Sequence, residues 1–226
     1  MLRSNGPCAC CSGDAVHIVE LTAVAAAIGA LFVSAEMLRR RGVSTDATRR
    51  YTHATGATIA AVLPAVLSLA EYLGLALVVA AVLAWTRTRG MLRSVHGVER
   101  PTLGATLFPL GLAIAAIFSW AHPAAYGLGT MTFALADPAA ATAGNWITSP
   151  RWAVWRGTKS LSGSLAFVGV ALLIGFVAAI WSGIGVGPIV AAAVVLAVIE
   201  GSLGFGLDNL ALPPLAVLSW RAVLGV

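Results

Sequence analysis

"SGSLAFVGVALLIGFVAAIW", residues 162–181, carries no charged side chain along its whole length. As a helix rising 1.5 Å per residue, such a segment covers about 30 Å, the thickness of a bilayer's hydrocarbon core. It reads as a membrane span. The rest of the 226-residue chain agrees, being 59% hydrophobic and only 10% charged, with a mean hydropathy of +0.90. In soluble domains about a quarter of the residues are charged. Further apolar segments lie at about 15–36, 53–69, 71–86, 104–120, 124–143, 186–200 and 210–225. None has the ten-residue apolar/polar alternation of an outer-membrane barrel strand. The expected fold is all-α, a polytopic bundle of seven or eight membrane helices. A flexible tail, residues 1–14, precedes a single domain over 15–226.

Residues 53–86 can be divided in two ways. One very long helix would carry Glu71 in its interior and move Arg87, Arg89, Arg93 and Arg100 across the membrane. Two spans turning near Ser68–Gly74 leave these arginines beside Arg39, Arg40, Arg41, Arg49 and Arg50. The second division follows the positive-inside tendency, and with an outside N-terminus the cationic loops, Arg151, Arg156 and Lys159 included, all face the cytoplasm. The net charge of +5 and pI near 9.7 therefore reflect topology, and no nucleic-acid partner is expected. No cleavable signal peptide or transit peptide is evident; an uncleaved anchor in a prokaryotic cell membrane fits. Cys8, Cys10 and Cys11 cluster in the tail. With His17 they lack a recognised metal spacing, so the tail reads as flexible and open to oxidation or lipidation.

Polar residues at the ends of such spans must be solvated, paired or enclosed in a protein cavity. In "RRYTH", residues 49–53, His53 follows Arg50 by three and Arg49 by four, so the three share a helix face. That face suits either snorkelling at the interface or a phosphate. His96 reads as a solvated loop residue. Asp137, followed by Pro138, interrupts an apolar helix and needs a partner, a metal or a polar cavity. The chain's only lysine, Lys159, precedes the span at 162–181 among Gly157, Ser160 and Gly163. Free N–H groups at a helix start beside an ammonium would suit phosphate, and a capped helix start with a topogenic lysine is the plainer alternative. The spacing is not that of a Walker A loop. Glu200, Asp208 and Asn209 form a last polar cluster, either a polar turn with Asp208 as a cap or a Mg²⁺ site. In the topology above these groups come from separate segments to one face; His122 and Glu71 are the main polar residues opposite.

Several of these stretches resemble the polyprenol kinase family, which includes phytol kinases, dolichol kinases and CTP-dependent diacylglycerol kinases. From about Glu36 to Pro214 they are Glu36 with Arg39 ahead of "RRYTH", "RPTLGATLFPLG", "ADPAAATAG", "KSLSGSLAF" and "DNLALPPL", in the family's order. Departures are Arg50 for the usual lysine, Ser162 for the loop glutamate, and Asn145–Trp146 for a basic pair.

The resemblance implies a CTP-dependent kinase, or one using another nucleoside triphosphate with Mg²⁺. The acceptor would be the hydroxyl of an isoprenoid alcohol such as phytol, geranylgeraniol or a polyprenol. It assigns Asp137, Asp208 and Asn209 to the metal and triphosphate. Arg49, Arg50, Lys159 and the Gly157–Gly163 loop with Ser160 go to phosphate oxygens. His53 would orient or deprotonate the alcohol, a role Asp208 could also fill. A diacylglycerol kinase, a phosphatidate cytidylyltransferase and, more distantly, a small transporter are the competing expectations. The predicted partners are a nucleoside triphosphate, the lipid alcohol and membrane lipids.

Overall fold

A computed structural model describes residues 10–97 and 102–226, with side chains from Ile18 onward. Cys8 and Arg100 lie outside the described residues, as do the side chains of Cys10, Cys11 and His17. Among the described residues the chain forms nine α-helices and one small hairpin. Helix α1 is Cys10–Arg40, α2 Thr45–Val62, α3 Leu69–Thr88, α4 Arg93–His96, α5 Gly104–Ser119 and α6 Pro123–Trp146. Strands β1, Arg151–Val154, and β2, Gly157–Ser160, lead into α7, Leu161–Ser182, then α8, Val186–Ser202, and α9, Asp208–Leu224. Among the described residues three helical segments are long and apolar enough to cross a membrane: Ile18–Arg40, Leu69–Thr88 and Leu161–Ser182. Gly104–Ser119 and Val186–Ser202 are shorter apolar helices.

The apolar stretch around residue 65 is broken, but at residues 63–68, ahead of the turn expected near Ser68–Gly74, and Gly74 lies inside α3. Helix α2 ends in a 3-10 turn, Leu63–Ala65, with Pro64 at its start. Ser68 then caps α3 in a reciprocal capping box with Glu71, whose carboxylate accepts from the Ser68 N–H at 2.7 Å. Glu71 is thus a helix-start residue rather than a charge inside a span. At the other boundary, α1 begins at Cys10 rather than at residue 15. Helical hydrogen bonding continues past the apolar run because a span's polar end needs no hydrocarbon.

Contacts between helix ends fix the direction of each element. The start of α2 meets α4, where Thr48 Oγ1 donates to the Ser94 carbonyl at 2.8 Å. The end of α3 meets α4 through Thr86 and His96, 3.2 Å apart. At the opposite end, Tyr126 near the start of α6 donates to Tyr72 near the start of α3 at 2.7 Å. There too, Arg221 near the end of α9 donates to the Phe118 carbonyl of α5 at 2.7 Å. Successive long helices therefore run in alternating directions.

Small residues let them approach closely. Ala115, Ala116, Ala134, Ala136, Ala171 and Ala216 are fully buried. A Cβ on Gly129 of α6 would stand 2.6 Å from the Val217 backbone of α9. Association through small residues is the expected mode where lipid tails are as apolar as the side chains they would replace. Large apolar side chains such as Leu77, Val78, Leu173 and Val198 point outward, each at least 60% exposed, as a lipid-facing surface requires.

Candidate active site

The ends of α2, α6, α7, α8 and α9 nearest the hairpin enclose a polar cavity of about 730 Å³. All ten residues singled out from the sequence line it: Arg49, Arg50, His53, Asp137, Gly157, Lys159, Ser160, Gly163, Asp208 and Asn209. Its charged wall holds five cations (Arg49, Arg50, Arg151, Arg156, Lys159) against four carboxylates (Asp46, Asp137, Glu200, Asp208).

Lys159 projects from β2 into a nest of carboxylates. It pairs with Glu200 of α8 and lies 3.3 Å from Asp208 Oδ2 at the start of α9. Burial pulls the ammonium's pKa down, but Asp208, Glu200 and Asp137 together outweigh it and hold the pKa above the ordinary value. The lysine therefore stays charged. Its surroundings differ from the helix start expected from the sequence, because Gly157–Ser160 is a strand paired with β1, Lys159 lying opposite Trp152. Nor are the first N–H groups of α7 free. The Leu161 N–H donates to the Pro150 carbonyl, Ser162 N–H to Ser149 Oγ, and Gly163 N–H to Ser160 Oγ, all within 3.2 Å. The chain caps this helix internally, so any anion in the cavity meets Lys159 and the arginines rather than this helix end. Ser162, where the resemblance leads one to expect glutamate, exchanges hydrogen bonds with Ser149 at 2.8 and 3.0 Å. The carboxylate beside Lys159 comes instead from Glu200.

His53 sits deeper, between the rings of Phe108 and Phe133, with centroids 5.0 and 4.4 Å away. Its Nε2 is 3.3 Å from the Phe133 carbonyl and 3.6 Å from Asp137 Oδ2. A carbonyl only accepts, so Nε2 carries the hydrogen and Nδ1 is left as a proton acceptor. Pro138 follows Asp137 in α6 and has no N–H to offer the Ala134 carbonyl one turn earlier.

The arginines are anchored on the opposite wall. Arg49 Nη2 donates to Thr102 Oγ1 at 2.9 Å. Arg50 pairs with Asp46 and donates to Thr142 Oγ1 at 3.1 Å, while its buried Nε has no partner among the described residues. Asn209 is buried under α5, where Gly104 makes room: a Cβ there would lie 2.5 Å from Asn209 Nδ2 and 2.7 Å from Arg49 Nη2. His96, read as a loop residue in water, is half-buried against Thr86. Burial and the nearby Arg87 and Arg49 lower its pKa, so it is neutral at pH 7.

A second, apolar groove of about 100 Å³ runs between α1, α2, α3 and α5, past Leu31, Gly56, Tyr72, Val79 and Phe108. It shares three lining residues with the polar cavity: Arg49, His53 and Asn209. No sequence motif could have disclosed this groove, which is a shape made by four helices. Glu200, Arg151 and Arg156 also escaped assignment to the site. Their segments were visible as polar, but their partners were not.

Among the described residues no three His, Cys, Asp or Glu side chains form a metal cage. Mg²⁺ does not need one, since it commonly keeps its waters and binds one or two carboxylates together with substrate phosphates. Asp137 and Asp208, both facing the cavity, match that demand. Comparison with family models, with curated proteins and with solved structures found no match to this chain.

Proposed function

We propose that the protein is a membrane-embedded phosphotransferase that moves the γ-phosphoryl group of CTP, or another nucleoside triphosphate, to the hydroxyl of an isoprenoid alcohol. The observation that carries this reading is the meeting of a cationic cavity and an apolar groove at Arg49, His53 and Asn209. A soluble, highly charged donor and a lipid acceptor need such separate seats with one shared junction. The resemblance to polyprenol kinases supplies the reaction class. Eight alternating helices, α4 excepted, would span the bilayer with the N-terminus outside and the cavity at the cytoplasmic face of a prokaryotic membrane.

In this reading Lys159, Arg49 and Arg50 hold phosphate oxygens, and Asp137, Asp208 and Asn209 hold Mg²⁺ delivered with the triphosphate. The metal supplies neutralisation of charge on the transferring group. The alcohol's tail lies in the groove, which brings its hydroxyl to His53. The hydroxyl oxygen bonds to the γ-phosphorus, the bond to the β–γ bridging oxygen breaks, and nucleoside diphosphate leaves with that electron pair. The hydroxyl proton passes to His53 Nδ1, because Nε2–H is held by the Phe133 carbonyl beside Asp137. Catalysis then rests on positioning and electrostatics.

The test is to incubate the purified protein with Mg²⁺ and CTP labelled either at the γ-phosphate or in the cytidine. Acceptors are phytol, geranylgeraniol, longer polyprenols and diacylglycerol. Appearance of γ-label in an isoprenoid lipid is expected. Cytidine label in lipid would convert the assignment to a cytidylyltransferase, γ-label in diacylglycerol alone would reassign the acceptor, and no transfer at all overturns the kinase reading.

A further inference from the structure

The mouth of the cavity is closed on one side by two turns that meet face to face. The hairpin turn holds Arg156 at φ 52°, and the turn before α9 holds Phe205 at φ 59°, both in the left-handed region that non-glycine residues rarely occupy. They touch: the Arg156 guanidinium carbon lies 4.9 Å from the Phe205 ring centre. Trp155 packs edge-on against the same ring at 5.2 Å and 68°. Gly204 permits this approach, since a Cβ there would run into the Trp155 carbonyl and come within 2.9 Å of Val154 Cγ2. Arg156 and Phe205 both line the cavity. Among the described residues the guanidinium of Arg156 rests on rings rather than on a carboxylate.

A planar cation backed by an aromatic ring and lining a polar cavity is a stacking platform for a flat heterocycle. Arg156 sits in the turn just before β2, three residues from Lys159, so the chain holds their Cα atoms at most about 10–11 Å apart. A ribose and its first phosphate would fill that interval. We propose that this clasp seats the base of the nucleoside triphosphate, the ring stacking on the Arg156 guanidinium while its triphosphate reaches Lys159. The proposal rests on the phosphotransfer reading and adds to it the seat of the base. Stacking tolerates any base, so the clasp increases affinity for nucleotides in general and separates them only modestly.

Calorimetric titration of the full-length protein in lipid nanodiscs tests this, with CTP and inorganic tripolyphosphate as probes, each with Mg²⁺. Wild type is expected to bind CTP more tightly than tripolyphosphate. Arg156→Lys, which keeps the charge and loses the plane, and Phe205→Ala should each weaken CTP by about tenfold and leave tripolyphosphate unchanged. Unaltered CTP binding in the variants, or equal weakening of both probes, overturns the clasp while leaving the phosphate site standing. If neither probe binds the wild type, the phosphotransfer reading falls with it. Unchanged tripolyphosphate binding also certifies that each variant is folded.

Discussion

Lys159 of β2 and Glu200 of α8, 41 residues apart in the chain, form an ion pair beneath the hairpin, their side chains only 17% and 5% exposed. Removing the lysine would leave a buried carboxylate without its counter-charge, an error that costs about 3–5 kcal/mol. Lys159→Met should therefore lower the melting temperature in detergent as well as abolish turnover. The double variant Lys159→Met/Glu200→Gln should regain thermal stability but no activity. Recovery of both would remove Lys159 from the phosphate site.

The same lysine sets an alkaline limit. Its pKa is held above the ordinary 10.5 by Asp208, Glu200 and Asp137. A raised pKa in the fold means the stabilising contribution is complete below the unfolded value and is lost only as pH climbs through the folded one. Tripolyphosphate affinity, followed by calorimetry, should show no loss attributable to Lys159 between pH 8 and 10. A Lys159-dependent decline inside that interval would contradict the assignment.

Asp137 stands beside His53 and faces the cavity, and among the described residues it forms no ion pair with lysine or arginine. Asp137→Asn should reduce turnover by about 10²–10³-fold with normal membrane insertion, and raising Mg²⁺ should not restore it. Near-normal turnover would exclude the residue from metal and phosphate.

Gly56 borders the groove opposite Leu31 and Phe108, where a Cβ would sit at 3.6 Å from each. Ordinary contact accommodates alanine; leucine would extend into the groove. Gly56→Leu should raise KM for a long-chain alcohol several-fold and leave CTP binding unchanged. An unaltered alcohol KM would show that the tail lies elsewhere.

Gly104 tests the junction itself. Adding a methyl there displaces Asn209 and Arg49, and overpacking of this kind costs about 1–3 kcal/mol. Gly104→Ala should weaken both substrates together, in contrast to Gly56→Leu. Kinetics that change for neither substrate would detach Asn209 from the reaction.

Helical character and the break between α2 and α3 were legible because hydropathy and charge position act over whole segments. The ten site residues gather at one cavity for the same reason, since alternating helices bring alternate loops to one end. The hairpin was not legible: "RWAVWRGTKS" has no Asn-Gly or Asp-Gly turn, and its reversal instead places Arg156 in a left-handed conformation backed by Phe205. Spacing likewise could not join Lys159 to Glu200, because the pairing depends on how α7 and α8 fold back together. Ser162 looked like a gap in the site when read alone; next to Glu200 it is a serine that ties α7 to Ser149.

Helices α1 and α3 both line the apolar groove, yet their described residues scarcely touch one another. In the proposed reaction a long-chain alcohol would enter sideways between them and reach His53 without leaving the bilayer. The concentration such an enzyme senses is then a mole fraction in two dimensions. Diluting the acceptor with inert phospholipid at constant bulk amount would slow the reaction, whereas adding more water around the same vesicles would not.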